Sequence, residues 1–109
     1  MKRFGRGTRR IPGQMNKLET RFAEYLELQK KAGLIYWYDY EPIRLKLADR
    51  TTYLPDFMAL MSDDSIQLFE VKGFWEQHAR IKIKVAADKF PFKFTAVQWV
   101  KKEWSFENF

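Results

Sequence analysis

The stretch YLPDFMALMSDDSIQLFEVKG, residues 53–73, decides how this chain folds. Two largely apolar runs, 53–61 and Ile66–Lys72, flank the polar residues 62–65, which have the composition of a tight turn. This pattern predicts two antiparallel strands joined as a hairpin. A proline is compatible with the first strand near its start or at a sheet edge, and Gly73 ends the second strand.

The spacing of apolar residues predicts further elements on both sides of this hairpin. Asn16 and Glu19 have the spacing of a capping box, so we predict a helix over 16–32 that Gly33 ends. Residues 77–90 fit either a strand or a helix, and the sequence Ala-Ala-Asp-Lys favours the helix. The predicted order is a helix (16–32), four strands (35–41, 43–48, 53–61 and 66–72), a helix (77–90) and a strand (94–101). This order predicts an α/β fold, more specifically an α+β sandwich in which helices flank a mixed sheet.

Composition excludes several classes of protein. The chain has 109 residues, a length typical of one domain, and we predict a basic arm over 1–15 and a folded domain over 16–109. It contains no cysteine, which excludes disulfides and thiolate metal sites, and its single histidine, His78, excludes a multi-histidine zinc site. Neither a membrane span nor a signal peptide is evident, so we expect a cytoplasmic protein without an organic cofactor.

Positive charge is concentrated in two regions. Residues 1–17 carry a formal charge of +6, residues 18–71 carry −4 and residues 72–102 carry +6. The glycine-rich start predicts a flexible arm, and we expect Arg9 and Arg10 to bind nucleic-acid phosphates. The alternatives are a solubilising tail, or an extension that precedes a natural start at Met15.

Two acids and a lysine of the hairpin form a candidate catalytic group. Asp56 lies early in the first strand and Glu70 late in the second, so an antiparallel pair brings these ends together. Glu70 and Lys72 are two residues apart and therefore share a face. Neighbouring carboxylates repel each other unless a cation lies between them, and Mg²⁺ needs only one or two carboxylates plus phosphate oxygens. The alternative reading is a solvated strand face and a Pro-Asp turn.

The same residues resemble a known nuclease signature. Pro55-Asp56, thirteen intervening residues and Glu70-Val71-Lys72 resemble the PD-(D/E)xK pattern. The runs NKLETRFAEYLELQKKAG, YEPIRLKLADRTTYLPDF and EVKGFWEQHARIKIKVAA resemble small single-domain nucleases of phages and prophages. This resemblance covers about residues 16–100. It implies a restriction-endonuclease-like α-β-β-β-α-β core and a metal-dependent endodeoxyribonuclease.

The resemblance also implies a role for each matching residue. Asp56 and Glu70 match the metal-binding acids, and the backbone carbonyl of Val71 matches a further ligand. Lys72 matches the catalytic lysine, which positions or activates the attacking water. Glu19 matches an acid on the first helix that lies near the metal, either as a ligand or through water. The implied cofactor is Mg²⁺, for which Mn²⁺ can substitute.

The second predicted helix carries candidate DNA-binding residues. Arg80 and Lys84 lie one helical turn apart and would hold a phosphate, with Lys82 as a weaker candidate. The alternative is an ordinary solvated helix face. Glu41, at a strand end before Pro42, is either a residue that borders the site or a solvated strand edge, and we favour the solvated edge. We interpret His78 as a surface or core histidine, with a general base as the alternative.

The substrate is predicted only as a class. Phosphate contacts give affinity without sequence reading, so we expect selectivity for DNA structure, with Holliday-junction resolution by a homodimer as the leading possibility. Two alternatives are a non-catalytic DNA-binding or assembly module on a nuclease fold, and a nuclease that acts on RNA.

Overall fold

Two helices and seven strands make up the part of the chain that the computed structural model describes, residues 13–109. They are α1 (Lys17–Lys31), β1 (Ile35–Tyr40), β2 (Leu45–Ala48), β3 (Thr51–Tyr53), β4 (Phe57–Met61), β5 (Ile66–Lys72), α2 (Gln77–Lys89), β6 (Lys93–Val100) and β7 (Glu103–Asn108). The arm and its predicted phosphate contacts, Arg9 and Arg10, lie outside the described residues. Neither described helix combines the length and the apolar character needed to cross a membrane.

Five strands form one mixed sheet in the order β1-β4-β5-β6-β7, and β2 pairs with β3 as a separate hairpin. The central pair β5 and β6 is parallel, with α2 as its connection, and the other neighbours in the sheet are antiparallel. The predicted α+β arrangement of a mixed sheet with helices is therefore confirmed at this level.

Each face of the sheet carries its own apolar core, because successive side chains of a strand point to opposite faces. On one face α1 contributes Phe22 and Leu26, which pack against β4, β5 and β6. On the other face α2 and the β2–β3 hairpin cover Leu68 of β5 and Phe94 of β6. Glu70 is two residues after Leu68 in β5, so its side chain lies on the same face of the sheet, the one that α2 covers.

The capping box predicted for α1 is present. The Glu19 N–H donates to Asn16 Oδ1 at 2.8 Å, and the Asn16 N–H donates to Glu19 Oε1 at 2.9 Å. The helix ends before Gly33, whose φ of 85° lies in the left-handed region that glycine adopts without strain. These contacts fix the start of α1 and, with it, the position of the Glu19 carboxylate.

Removing this cap should destabilise the protein measurably. We expect Asn16→Ala to lower the free energy of unfolding by about 1 kcal/mol, because a helical N–H loses its acceptor. Thermal unfolding should show a melting temperature lower by roughly 5 °C. Asn16→Ser supplies a hydroxyl acceptor and serves as the control. Equal melting temperatures for the alanine and serine variants would show that the cap contributes nothing.

The strand predicted over 53–61 is wrong in one respect, since the structure divides it. Tyr53 ends β3 in the separate hairpin, and β4 begins only at Phe57. The break coincides with the buried Pro55, which has no N–H to donate to a strand ladder. Asp56 consequently lies in the connection between β3, in the separate β2–β3 hairpin, and β4, in the five-stranded sheet.

The last strand, β7, was not predicted from the sequence. It pairs with β6 through a two-residue turn, Lys101 and Lys102, whose φ angles are 53° and 63°. Trp104 of β7 meets the Phe22 ring edge-on at a centroid distance of 5.1 Å. This strand therefore extends the sheet and covers part of the core beneath α1.

Candidate active site

Three of the four predicted catalytic residues, Asp56, Glu70 and Lys72, border a cleft at one end of the sheet, and Glu19 is not among its lining residues. Phe57 pairs with Phe69 in β5, which brings the neighbouring positions Asp56 and Glu70 opposite each other. The cleft has a volume of about 370 Å³. It is lined by Glu41, Arg44, Thr52, Tyr53, Leu54, Asp56, Glu70, Lys72, Ala79 and Lys82. Asp56, Glu70 and Lys72 are thus brought together as the spacing predicted.

The surroundings of the Asp56 side chain disfavour its ionised form. Only 2% of its surface is exposed, and its Oδ2 accepts a hydrogen bond from the Val71 N–H at 2.8 Å. Burial raises the pKa of Asp56 to about 8, and the nearby charge of Glu70 acts in the same direction. Glu19 adds a smaller increase, while the Val71 N–H and Lys72 lower the pKa. The site therefore favours a bound cation or a proton next to Asp56.

Both carboxylate oxygens of Glu70 have a polar partner. The Tyr53 hydroxyl donates to Oε1 at 2.8 Å, and Lys72 Nζ lies 3.3 Å from Oε2. Burial and the charge of Glu70 raise the pKa of the Tyr53 phenol far above its usual range, so it remains a donor at any working pH. These two contacts fix the orientation of a carboxylate that is only 6% exposed.

Glu19 combines a structural role with a place near the site. Besides capping α1, its Oε1 accepts a hydrogen bond from the Tyr40 hydroxyl at 3.0 Å. Its side chain is buried, and its negative charge contributes to the raised pKa of Asp56. Capping and a contribution to the site are therefore compatible.

Lys72 connects the buried acids to solvent. Its side chain is 34% exposed, and it borders the cleft beside Glu70. The side chain of Val71, between them, points into the core beneath α1. The assignment of the Val71 carbonyl as a ligand stays a prediction.

Two basic residues, Arg44 and Lys82, line the cleft. Lys82 of α2 donates to the Thr52 carbonyl at 3.1 Å, and Arg44 donates to the Thr52 hydroxyl at 3.3 Å. Both therefore connect to the β2–β3 hairpin at one residue. Their charges face the same space as the catalytic group, which would suit an anionic substrate.

Arg80 and Lys84, the stronger candidates of the sequence analysis, lie near β7. The Arg80 guanidinium binds both carboxylate oxygens of Glu107, at 2.8 and 2.6 Å, and stacks over the Phe109 ring at 5.4 Å. Arg80 and, more weakly, Lys84 lower the pKa of Glu107. Neither contributes to the cleft lining, and their binding to nucleic acid stays a prediction. His78 is exposed at the start of α2.

Sequence reasoning missed several residues of the cleft. Glu41, interpreted as a solvated edge, borders the cleft; its φ is 50° and its N–H donates to the Asp56 carbonyl at 2.8 Å. Tyr53 ends β3 and Arg44 directly precedes β2, and the packing of the β2–β3 hairpin onto the sheet has no local signal. A residue before proline is ordinarily extended, so the positive φ of Glu41 before Pro42 could not be predicted from the sequence.

The donor atoms of the site fit a hard divalent cation. Asp56 and Glu70 offer buried carboxylate oxygens whose mutual repulsion a cation removes. Among residues 13–109 no group of three or more acidic, histidine or cysteine side chains is arranged to hold a metal ion. Two carboxylates suffice for Mg²⁺ when water and substrate phosphate oxygens complete its shell.

Comparisons with known protein families, curated proteins and solved structures give no match to this chain.

A larger groove, of about 480 Å³, lies at the other end of the sheet. Its polar wall is a chain of hydrogen bonds in which Gln67 donates to the Thr95 hydroxyl and Thr95 donates to Asn108. The buried carboxylates and the lysine lie in the smaller cleft, and we therefore assign the chemistry there.

Proposed function

We propose that this protein is a metal-dependent endodeoxyribonuclease that hydrolyses DNA phosphodiester bonds. The observation that carries the proposal is the pair of buried carboxylates, Asp56 and Glu70, with Lys72 in the same open cleft. Burying two like charges side by side costs free energy, which an inert domain has no reason to retain. A phosphate-bound cation offsets that cost.

The strand arrangement supports a restriction-endonuclease-like core as part of the proposal. In this interpretation α1, β1, β4, β5, α2 and β6 supply the α-β-β-β-α-β order, and α2 connects the central parallel pair. The β2–β3 hairpin is then an insertion that forms one wall of the cleft, and β7 is an addition at the sheet edge.

Asp56 and Glu70 would hold Mg²⁺ or Mn²⁺, with Glu19 acting directly or through water and the Val71 carbonyl as a further oxygen. The bound cation would stabilise negative charge on the phosphate and make water more acidic. Water would attack phosphorus in line with the departing 3′ oxygen, so that a new P–O bond forms as the P–O3′ bond breaks. The attacking water gives up a proton and the 3′ oxygen takes one up. Lys72, whose Nζ lies 3.3 Å from Glu70, orients that water and stabilises the charge that develops in the transition state.

The rest of the cleft supports a nucleic-acid substrate. Arg44 and Lys82 add two positive charges beside the acids, and contacts to phosphates give affinity that does not depend on base sequence. We therefore propose selectivity for DNA structure, such as a four-way junction, in a phage protein that acts in the cytoplasm of the bacterial host. Exposed aromatic residues, Tyr36, Trp37 and Phe74, are consistent with the proposed homodimer.

Cleavage of labelled DNA tests this function directly. A four-way junction, a linear duplex and a single strand would be incubated with the protein and Mg²⁺ or Mn²⁺. We expect metal-dependent cleavage that Glu70→Gln abolishes and Glu24→Gln leaves intact, since Glu24 is an exposed acid on α1. Absence of cleavage of all three DNAs would reject the proposal, and cleavage of matched RNA alone would reassign the substrate.

Tyr53 should matter to the rate through its hydrogen bond to Glu70. We expect Tyr53→Phe to lower the single-turnover rate about tenfold, because the carboxylate loses one of the groups that orient it. Tyr36→Phe, which alters an exposed hydroxyl on β1, is the control. Equal rates for both variants and the wild type would show that Tyr53 contributes packing alone.

A further inference from the structure

The turn between β6 and β7 has an unusual sequence for its geometry. Val100 pairs with Glu103, so Lys101 and Lys102 form a two-residue hairpin loop, and both have positive φ. Such a loop is ordinarily built from Asn-Gly or related pairs, because a side chain with a β-carbon is strained at positive φ. Two consecutive lysines therefore occupy positions that favour other residues, and strain of this kind points to function.

The turn lies at the same end of the sheet as the cleft. Lys72 is in register with Gln98 on the parallel neighbour β6, and the turn begins three residues further along. At about 3.3 Å per residue, this places Lys101 roughly 10 Å beyond Lys72 in the strand direction. Both turn lysines are exposed, and one acid, Glu103, follows them.

Aromatic packing holds the turn in place. Trp99 and Trp104, a cross-strand pair beside the turn, meet edge-on at 4.8 Å. The Arg21 guanidinium of α1 lies over the Trp99 ring at 4.7 Å and adds a third positive charge near this end of β6. The two lysines therefore lie on a hairpin turn that aromatic packing stabilises.

We propose that the Lys101–Lys102 turn binds the phosphate backbone of the nucleic acid at a distance from the bond that is cleaved. This inference rests on the proposed function. A separation of roughly 10 Å corresponds to about three base pairs of duplex at 3.4 Å each. The turn thus provides a second contact that positions the substrate, separate from the basic side chains of Arg44 and Lys82 that line the cleft.

The chain offers a matched control in a second pair of lysines. Lys30 and Lys31 occupy the last turn of α1 and are also exposed. A lysine pair at this position is explained by the negative end of the helix dipole. Replacing either pair with glutamine removes the same net charge, so only the location differs.

Affinity would be measured by fluorescence anisotropy with a labelled 30-base-pair duplex between 50 and 200 mM NaCl. All proteins would carry Glu70→Gln, so that the DNA stays intact. We expect K101Q/K102Q to weaken binding about tenfold and to reduce the salt slope by about 1 to 2, and K30Q/K31Q to change affinity less than about twofold. Equal effects of the two double variants would overturn the proposal, because net charge would then explain the loss.

A second pair of measurements separates strain from binding and locates the contact. K101N/K102G should raise the melting temperature yet weaken DNA binding like the glutamine variant; unchanged binding overturns the proposal. A neutral methylphosphonate about three nucleotides from the cleaved bond should slow the wild type and leave K101Q/K102Q unaffected; equal slowing of both also overturns it. If the wild type binds through the turn and cleaves no substrate, the proposed function fails while the binding site stands.

Discussion

Replacing Lys72 with methionine is expected to lower the rate of phosphodiester cleavage by about a thousandfold. Methionine keeps an unbranched side chain of similar length but removes the ammonium group that lies 3.3 Å from Glu70. The attacking water then loses the group that orients it, and the transition state loses a positive charge. Single-turnover cleavage of labelled duplex at saturating protein measures the chemical step without a contribution from binding.

Lys93→Met is the matched control for this experiment. Lys93 is an exposed lysine at the start of β6, and it borders the groove at the other end of the sheet. We expect it to cleave at close to the wild-type rate. If Lys72→Met also stays within about tenfold of the wild type, Lys72 has no catalytic role and the assignment of the cleft is wrong.

Without a divalent cation, the protein should lose stability as the pH rises from about 5 to 8.5. Burial and the charge of Glu70 raise the pKa of Asp56 from 3.8 to about 8 in the folded state. A carboxyl group with a raised folded pKa stabilises the protein fully below its unfolded pKa, and this contribution is lost as the pH rises through the folded value. We expect the melting temperature to fall by at least about 5 °C over this range.

Asp56→Asn should remove most of this pH dependence. Asparagine is neutral throughout, and its carbonyl oxygen can still accept the hydrogen bond from the Val71 N–H. At pH 8, 10 mM Mg²⁺ should raise the melting temperature of the wild type and leave that of the variant unchanged, since a ligand stabilises only the state that binds it. Parallel curves of melting temperature against pH for the two proteins would contradict the role assigned to Asp56.

Local patterns predicted the elements whose determinants lie close together in sequence. The start of α1 follows from Asn16 and Glu19, three residues apart, which make the two reciprocal bonds of the capping box. The bounds of β5, Ile66–Lys72, follow from an apolar run between a polar turn and Gly73. The ambiguous region 77–90 contains helix α2, Gln77–Lys89, and the preference for helix there is confirmed.

The wrong predictions concern strands whose bounds depend on contacts between residues that are distant in the sequence. The predicted strand over 53–61 is divided at Pro55, because Tyr53 joins the separate hairpin while Phe57 joins the central sheet. The strand β7 was missed because Lys101-Lys102 is not a recognised turn sequence, although Trp104 and Phe106 alternate with polar residues as a strand requires.

The acids of the site could be predicted from the sequence, but the residues that hydrogen-bond to them could not. Asp56 lies directly before β4 and Glu70 lies near the end of β5, and the antiparallel pairing of these strands suffices to bring the two carboxylates together. The hydroxyl partners cannot be recognised in a chain with five tyrosines, because the hydrogen bond from Tyr53 to Glu70 spans 17 residues. The position of Arg80 outside the cleft depends on Glu107 of β7, a strand that the sequence did not reveal.

The pairing of β4 with β5 also determines where evolution can change the length of this chain. Residues 62–65 connect the two strands in a turn, and extra residues there leave the pairing of Phe57 with Phe69 unchanged. One residue inserted within β5 before Glu70 instead reverses the faces of the strand, which turns the carboxylate toward the core beneath α1. Related chains should therefore vary in the number of residues between the two acids, and the register of the hairpin is the property that identifies them.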